Sequence, residues 1–337
     1  MTSPDNPILD NPATSASTSA FTIAFGMKSY RDMAINLARS VEKHNPGLPF
    51  YIITDRDLSL PSDLKHTQVN IHDPKAYGVG FSVKLNLDHL APTDRSLFID
   101  ADCLVYRNLA SLFETFQGTS VGVLGVSKTD GEMFGDVASV CKACDVDSLP
   151  FFNGGLYYIE KGSQSGAIYS RARALEPRYD ELGLVRLRGQ PNDEVLVAIA
   201  LSQFGIKPIA NDGSFYADFQ WWPQVEKLDI LNGIARMSNP PLPHALHQDK
   251  FPATQAQPAV VHFLGHHVES PLYLRERAAL SLQRFVPFPA TLSWCLATPS
   301  FGLIAFKNIA RPLFHKFFAP RSVQKSKSRL VISNADK

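Results

Sequence analysis

The chain has 337 residues, 45% hydrophobic and 19% charged, enough to bury a substantial core in one large domain or two small ones. Its 33 Lys and Arg against 32 Asp and Glu give a net charge of +1, which excludes the broad basic surface of a general nucleic-acid binder. Four cysteines, two of them in a lone Cys141-x-x-Cys144, read as ordinary thiols of a reducing compartment, since a zinc site would need further ligands nearby.

Residues 1–20, "MTSPDNPILDNPATSASTSA", are polar and lack the basic-then-apolar pattern of a secretory signal. They are expected to be a disordered leader of a cytoplasmic protein. "FTIAFG" (21–26) reads as a first strand, and Met33, Leu37 and Val41 then follow at helical spacing until Asn45-Pro46-Gly47. "LPFYIITD" is a second strand ending on an acid, and residues 67–72 are a third. "SVKLNLDHLAP" (82–92) predicts a helix with Val83, Leu87 and Leu90 on one face. Residues 96–99 are a strand that runs into Asp100-Ala101-Asp102. Residues 120–126 predict one strand, 127–150 an irregular stretch, and "PFFNGGLYYIEKG" one strand with Asn153-Gly154-Gly155 at its start. "GQPNDEVLVAIALSQFG" is a helix opened by Pro191, "IKPIA" a strand, "FYADFQWWP" an aromatic loop or strand, and "AVVHFLGHH" a last apolar run. Strands alternating with helices argue an α/β domain over 21–285 with a mainly parallel sheet. Residues 286–337 are a Pro-broken, aromatic and basic extension, and no apolar run of about 18 residues is present to span a bilayer.

In such sheets ligands bind at the carboxyl ends of strands. Strand alternation points residues i and i+2 the same way, so Asp100 and Asp102 can converge on one hard divalent cation. Unpaired, they would repel, and one would hold a proton; the competing reading is a helix cap with a neighbouring surface acid. His262, ending an apolar run, suits a borderline ion such as Mn²⁺ beside carboxylates, or is a satisfied core histidine. Asn153-Gly154-Gly155 allows close approach of a sugar, or is an ordinary turn. Asp193 and Glu194 lie at a helix start, where acids complement the dipole or act on a sugar. Lys84 and Lys28 are candidate phosphate partners or surface lysines, Tyr30 a base-stacking or packing aromatic, and Trp221-Trp222 an acceptor platform or core.

In this order the pieces resemble the family 8 glycosyltransferases, the glycogenin and lipopolysaccharide galactosyltransferase group, from about Phe21 to about Gly265. The resemblance implies the GT-A fold, a single Rossmann-like domain with a mixed, mainly parallel central sheet, plus a C-terminal extension. "FTIAFGMKSYRDMAINLARSV" is similar to the family's first strand and helix, with Tyr30 at its uracil-side tyrosine. "SVKLNLDHLAPTDRSLFIDADCLV" is similar to its Lys-Leu helix and Asp-x-Asp strand, "FFNGGLYYIEKG" to its Phe-Asn-(Ser/Gly)-Gly strand, and "VVHFLG" to its closing His-Phe-x-Gly. The resemblance implies retaining transfer from a nucleotide sugar, UDP-linked, with Mn²⁺ or Mg²⁺ on Asp100, Asp102 and His262. It places the donor against Ala24, Phe25, Gly26, Tyr30, Lys84, Ala101, Asn153, Gly154, Gly155 and Gly265, with Asp193 and Glu194 at the reacting sugar and a saccharide or glycolipid as acceptor. The chain departs from the family at Met27-Lys28, where the family has Asn or Asp. It departs at Val268, where the family has a phosphate lysine that His266 or His267 would replace, and at Glu194, where the family has Gln.

Two other readings compete. A haloacid-dehalogenase-type phosphatase also uses Asp-x-Asp, but as the opening of its domain. A non-catalytic nucleotide-sugar binder would retain the scaffold without the lysine at Val268. The tail from Trp294 to Arg329 mixes aromatics with cations and is either a membrane-surface contact or a packing extension.

Overall fold

A computed structural model describes residues 17–78, 80–239 and 254–283 of the protein. The first strand, β1 (Thr18–Ile23), begins three residues before the expected start at Phe21. Thr18 to Ala20 therefore belong to the sheet and not to the leader, because Thr18, Ser19 and Ala20 pair with Arg95, Ser96 and Leu97. Ser17 is held as well, its N–H and hydroxyl donating to Asp94 Oδ2 at 2.9 Å, while residues 1–16 of the expected leader and the extension from 286 lie outside the described residues. Helix α1 (Lys28–His44) follows, burying Ala34, Leu37, Ala38 and Val41, and stops where Asn45 caps it. β2 (Phe50–Thr54) and β3 (Thr67–Ile71) match the expected strands. The stretch 82–92 is not one α-helix. It is a 3-10 helix from Gly80 to Asn86 that passes into a single α-turn, α2 (Leu87–Leu90). The apolar face survives this change, with Val83, Leu87 and Leu90 all buried.

β4 (Arg95–Ile99) leads into the short β5 (Cys103–Val105), and α3 (Ala110–Phe116) comes next. The expected strand at 120–126 is two, β6 (Val121–Gly122) and β7 (Leu124–Lys128), broken at Val123 because they join different sheets. The stretch expected to be irregular contains α4 (Val137–Cys144), capped by Asp136, whose side chain accepts from Ser139 N–H at 2.9 Å. Cys141 and Cys144 are free thiols on its buried side. "PFFNGGLYYIEKG" likewise holds two strands, β8 (Leu149–Phe152) and β9 (Leu156–Glu160), with Asn153-Gly154-Gly155 between them rather than at a strand's start. α5 (Ser163–Leu175) and α6 (Asp193–Gln203) pack together behind them. The chain then runs through β10 (Ile209–Ala210), β11 (Tyr216–Asp218), β12 (Gln224–Asp229), β13 (Ile234–Ser238), β14 (Gln255–Ala256) and β15 (Val260–His262) to α7 (Pro271–Gln283).

The central sheet has the order β3-β2-β1-β4-β9-β6. The first four strands are parallel, and β9 runs against both β4 and β6. This is the mixed, mainly parallel α/β architecture expected from the sequence. Alternation along the strands divides the core. Phe21, Ile53, Phe98 and Tyr157 face α2, α5 and α6 on one side, while Ala20, Ile52, Leu97 and Tyr158 face α1 and α3 on the other. Each buried Phe or Leu contributes about 1.5–3 kcal/mol, so the two layers are the main source of stability. Trp221 and Trp222 are buried in this core, which removes them as an acceptor platform. No helix among the described residues is long and apolar enough to cross a membrane.

Candidate active site

β4 delivers Asp100 to the carboxyl edge of the central sheet, and the chain reverses there. The N–H of Cys103 donates to the carbonyl of Asp100 at 2.9 Å, closing a four-residue turn over Ala101 and Asp102. β5 then pairs antiparallel with β15, setting Cys103 opposite His262, and Phe263 N–H donates to Asp102 O at 3.0 Å. The result is that His262 Nε2 lies 2.9 Å from Asp102 Oδ1 and 4.0 Å from Asp100 Oδ2. The three side chains singled out from the sequence do converge. They do so through a turn and a cross-strand pairing, not through strand alternation, which was the expected cause. Both Asp side chains remain 23% exposed, so they are reachable from the crevice, whereas the imidazole is at 7%.

The other imidazole nitrogen is fixed from behind. Nδ1 lies 2.5 Å from the Tyr216 hydroxyl and 3.2 Å from Asn153 Oδ1, and that hydroxyl donates to Asn153 Oδ1 at 2.7 Å. With Nδ1–H donating into this pair, Nε2 is the nitrogen presented to the carboxylates. Asn153 Oδ1 also accepts from Gly155 N–H at 2.9 Å. Its carbonyl oxygen is thus engaged in orienting His262. The glycines have a similar explanation. A Cβ on Gly155 would stand 2.5 Å from His262 Nδ1 and from the Tyr216 hydroxyl, and one on Gly154 would stand 2.9 Å from Glu194 Cγ. They admit protein side chains, so a sugar is not needed to account for them.

Lys84 is no surface lysine. Its Nζ donates to Asp100 Oδ2 at 2.6 Å and to Gly154 O at 2.9 Å, and it lies 5.4 Å from the centre of the Phe98 ring. Lys28, by contrast, pairs with Asp32 on the surface. On α6 the cap is Asn192, one residue past the expected Pro191, and its Oδ1 accepts from Glu194 N–H at 2.8 Å. Glu194 Oε1 accepts from Gly154 N–H at 2.8 Å, and Asp193 Oδ2 accepts from the Tyr157 hydroxyl at 2.9 Å.

Burial and mutual repulsion dominate the charges. Burial pushes the carboxyls of Asp100 and Asp193 up, against the pull of Lys84. Burial and then Asp193 push Glu194 up to about 8, and burial pushes Asp218 to about 6. Burial opposes the charge on His262, but Asp102 and Asp100 outweigh it and raise the imidazole to about 9. Burial would also raise Asp102, yet His262 holds it below the usual carboxylate range. Among the described residues, Cys103 offers a further donor atom within 4.8 Å of those of Asp102 and His262. Burial keeps its thiol protonated, and it faces Gly155 O at 3.9 Å, so Asp100 is the better partner for a hard cation.

The remaining expected residues are less uniform. Ala24 is fully buried, with its N–H donating to Ile53 O at 2.8 Å and its carbonyl accepting from the Thr54 hydroxyl, so its backbone polar groups are already satisfied. Phe25 is half-buried, while Gly26 is exposed in the left-handed region at φ 79 and donates to Asp55 Oδ1 at 3.2 Å. Tyr30 is exposed on the first turn of α1. Ala101 is buried within the Asp-x-Asp turn. Gly265, at φ 62, opens a 3-10 turn that carries His266 and His267. His267 stacks on Phe219 at 4.3 Å, and burial and His266 lower its pKa to about 4. It is neutral near pH 7 and would offer a phosphate an N–H donor without the charge of a lysine; His266 is the exposed ring of the pair. The sequence reading missed Tyr157, Tyr216 and Asp218. The available signal was a Tyr-x-Asp alternation inside "FYADFQWWP", where an acid interrupts an otherwise aromatic run.

No protein-family model matches the chain, and no curated protein matches it. Among solved structures the fold is similar to that of an active-site mutant of LgtC, at 17% identity over 73% of this chain and 87% of that one, with a TM-score of 0.49. It is similar to the galactosyltransferase LgtC in complex with donor and acceptor sugar analogs, at 16% identity over 73% and 87%, with a TM-score of 0.45. It is also similar to the glycosyltransferase GlyE of Streptococcus pneumoniae TIGR4, at 12% identity over 88% and 65%, with a TM-score of 0.41.

Proposed function

We propose that the protein is a divalent-metal-dependent glycosyltransferase of the family 8 kind, with the GT-A fold. It would transfer a hexose from a UDP-linked sugar to a hydroxyl of a saccharide or glycolipid, with retention. The observation that carries this reading is the convergence of two part-exposed carboxylates and an oriented imidazole at the carboxyl edge of the sheet, with His262 Nε2 2.9 Å from Asp102 Oδ1 and 4.0 Å from Asp100 Oδ2. Asp193, Asp218 and Glu194 surround this trio with further carboxyl groups that burial pushes toward their protonated forms, and Lys84 pairs with Asp100; a divalent cation that displaces the second proton of His262 would favour their ionised forms. Buried carboxylates in excess are costly unless a counter-ion joins them.

Mn²⁺ or Mg²⁺ fits this donor set, two reachable carboxylates and an imidazole whose tautomer is fixed, and Asp100, Asp102 and His262 would hold it. When bound, such an ion supplies Lewis-acid stabilisation of the negative charge that develops on a leaving nucleoside diphosphate. Lys84, already beside Asp100, offers a second positive charge to the same phosphates. The Gly26 and Tyr30 edge of β1 and α1 would take the nucleoside, and exposed His266 would hydrogen-bond the diphosphate. Glu194, held by Gly154 N–H, would meet the anomeric carbon, either attacking it or balancing the positive charge that forms there. Asp193 would bind a sugar hydroxyl.

The test is to incubate the full chain with Mn²⁺ and each common UDP-hexose, with and without a chelator, and to measure UDP. The expected outcome is UDP release from one sugar that stops on chelation. Release of phosphate from simple phosphomonoesters, or no UDP from any sugar despite tight UDP–Mn²⁺ binding, would sink it.

A further inference from the structure

Asp218 ends β11 and is fully buried. Its Oδ1 accepts the N–H groups of Gln220, at 2.8 Å, and Trp221, at 2.9 Å, which closes the turn after the strand. Its Oδ2 is buried and has no hydrogen-bond partner among the described residues. An asparagine would make the same two turn bonds through its single carbonyl oxygen. The second oxygen and its charge are therefore surplus to the turn, and an unpartnered carboxylate oxygen in an enclosed place costs stability.

Its location gives the surplus a use. β11 and β15 are parallel neighbours, and Asp218 is in register with His262. Register partners share a face of the sheet, as do residues two apart on one strand. Tyr216, two residues before Asp218, does have its hydroxyl against His262 Nδ1. Asp218 makes its hydrogen bonds to turn amides and none to His262, so it does not set the imidazole's tautomer; Tyr216 and Asn153 do that. What it adds to this face, when ionised, is a negative charge on the residue in register with His262.

We propose that Asp218 is a positioning residue of the metal centre, whose spare oxygen places a negative charge beside His262 and tightens the grip of Asp100, Asp102 and His262 on a divalent cation, at a cost to the ion-free fold. The inference rests on the metal reading given above and assigns Asp218 no contact with the ion or the sugar. A field of this kind strengthens the imidazole as an electron-pair donor and attracts the cation directly.

Asp218→Asn isolates the charge, because the turn bonds survive. Free Mn²⁺ is titrated by electron paramagnetic resonance against the full-length wild type and the variant, with and without UDP, and thermal unfolding is followed in chelator. The expected result is a roughly ten- to hundred-fold weaker Mn²⁺ affinity in Asp218→Asn, with a chelated melting temperature equal to or above that of the wild type. Should Asp218→Asn fail to fold, Asp218→Ser, whose hydroxyl can also cap the turn, is read in the same way. Equal Mn²⁺ affinities in variant and wild type would overturn the proposal, and so would a loss of affinity that merely accompanies a lower chelated melting temperature. A wild type that binds no Mn²⁺ overturns the metal reading itself and this inference with it, so the two failures are distinguishable.

Discussion

Glu194 sets a second carboxyl beside Asp193 in the first turn of α6. Its Oε1 is anchored by Gly154 N–H at 2.8 Å, and its own N–H is held by the Asn192 cap. A glutamine would keep the anchor through its carbonyl oxygen while losing the negative charge. Glu194→Gln should therefore fold normally and lose at least about a hundred-fold in kcat with donor saturating, the scale of removing one charge-stabilising group. Because burial and Asp193 push this carboxyl up to about 8, the reactive carboxylate form of the free enzyme is depleted as pH falls below that value. With Mn²⁺ bound, which further favours the carboxylate, the kcat/KM profile of the wild type should accordingly decline on its acid side with a midpoint below about pH 8. Wild-type kcat in Glu194→Gln would show that the carboxylate is not used. Reading Glu194 as chemically distinct needed only the sequence. Knowing that it faces Gly154, forty residues away, needed the fold.

At the scale of elements, the connection Asn153-Gly154-Gly155 does the most to assemble the site. It carries the chain from β8, in one sheet, to β9, in another, and in crossing brings its backbone against His262, Glu194 and Lys84. Gly155→Ala would place a methyl 2.5 Å from both His262 Nδ1 and the Tyr216 hydroxyl. The buried ring must move, since overpacking of this kind costs about 1–3 kcal/mol. The expected outcome is a lower melting temperature together with lost Mn²⁺ binding; a variant that binds Mn²⁺ as the wild type does would show that the ring's place is not critical. What the sequence revealed at this scale follows from how local each signal is. β1, α1, β2, β3 and α6 announce themselves by apolar spacing within one element, and the sheet class follows from their alternation. β6 and β7, read as one strand, are separated only by their choice of partner, β9 or β8, and that choice is not written locally. β12, "QVEKLD", shows little apolar alternation because it is largely exposed. The convergence of Asp100 and Asp102 with His262 was anticipated, but its cause, the reverse turn into β5, was hidden because β5 has only three residues.

For the molecule as a whole, a net charge of +1 conceals an uneven interior. The carboxyl cluster of the candidate site is one acidic excess; a further buried acid, Glu276 on α7, lies apart from it. Its Oε2 accepts from Ile230 N–H at 2.6 Å, and its Oε1 accepts from Arg275 Nη2 at 2.7 Å, while Arg275 also donates to Leu228 O. These bonds tie α7 to the end of β12. Arg39 to Ser281 and Lys43 to Gln283, at 3.1 and 2.9 Å, tie the same helix to α1. Burial pushes the Glu276 carboxyl up to about 7, with Arg275 only partly opposing it. The folded protein therefore holds this proton more tightly than the unfolded chain, whose glutamates titrate near 4.3. Where the native state binds more protons, stability falls as pH rises. The contribution of Glu276 is present in full below about pH 4.3 and is lost on passing through pH 7, on the order of 3 kcal/mol in all. Glu276→Gln does not titrate, so denaturant unfolding of both proteins in chelator, at pH 5 through 8, should show the wild type losing ground steadily to the variant up to about pH 7 and no further above it. The carboxyls of the candidate site titrate in both proteins and cancel in the difference. A stability difference that stays constant with pH would mean that Arg275 neutralises Glu276 completely, and that α7 is held to β12 by an ion pair at every pH in this range.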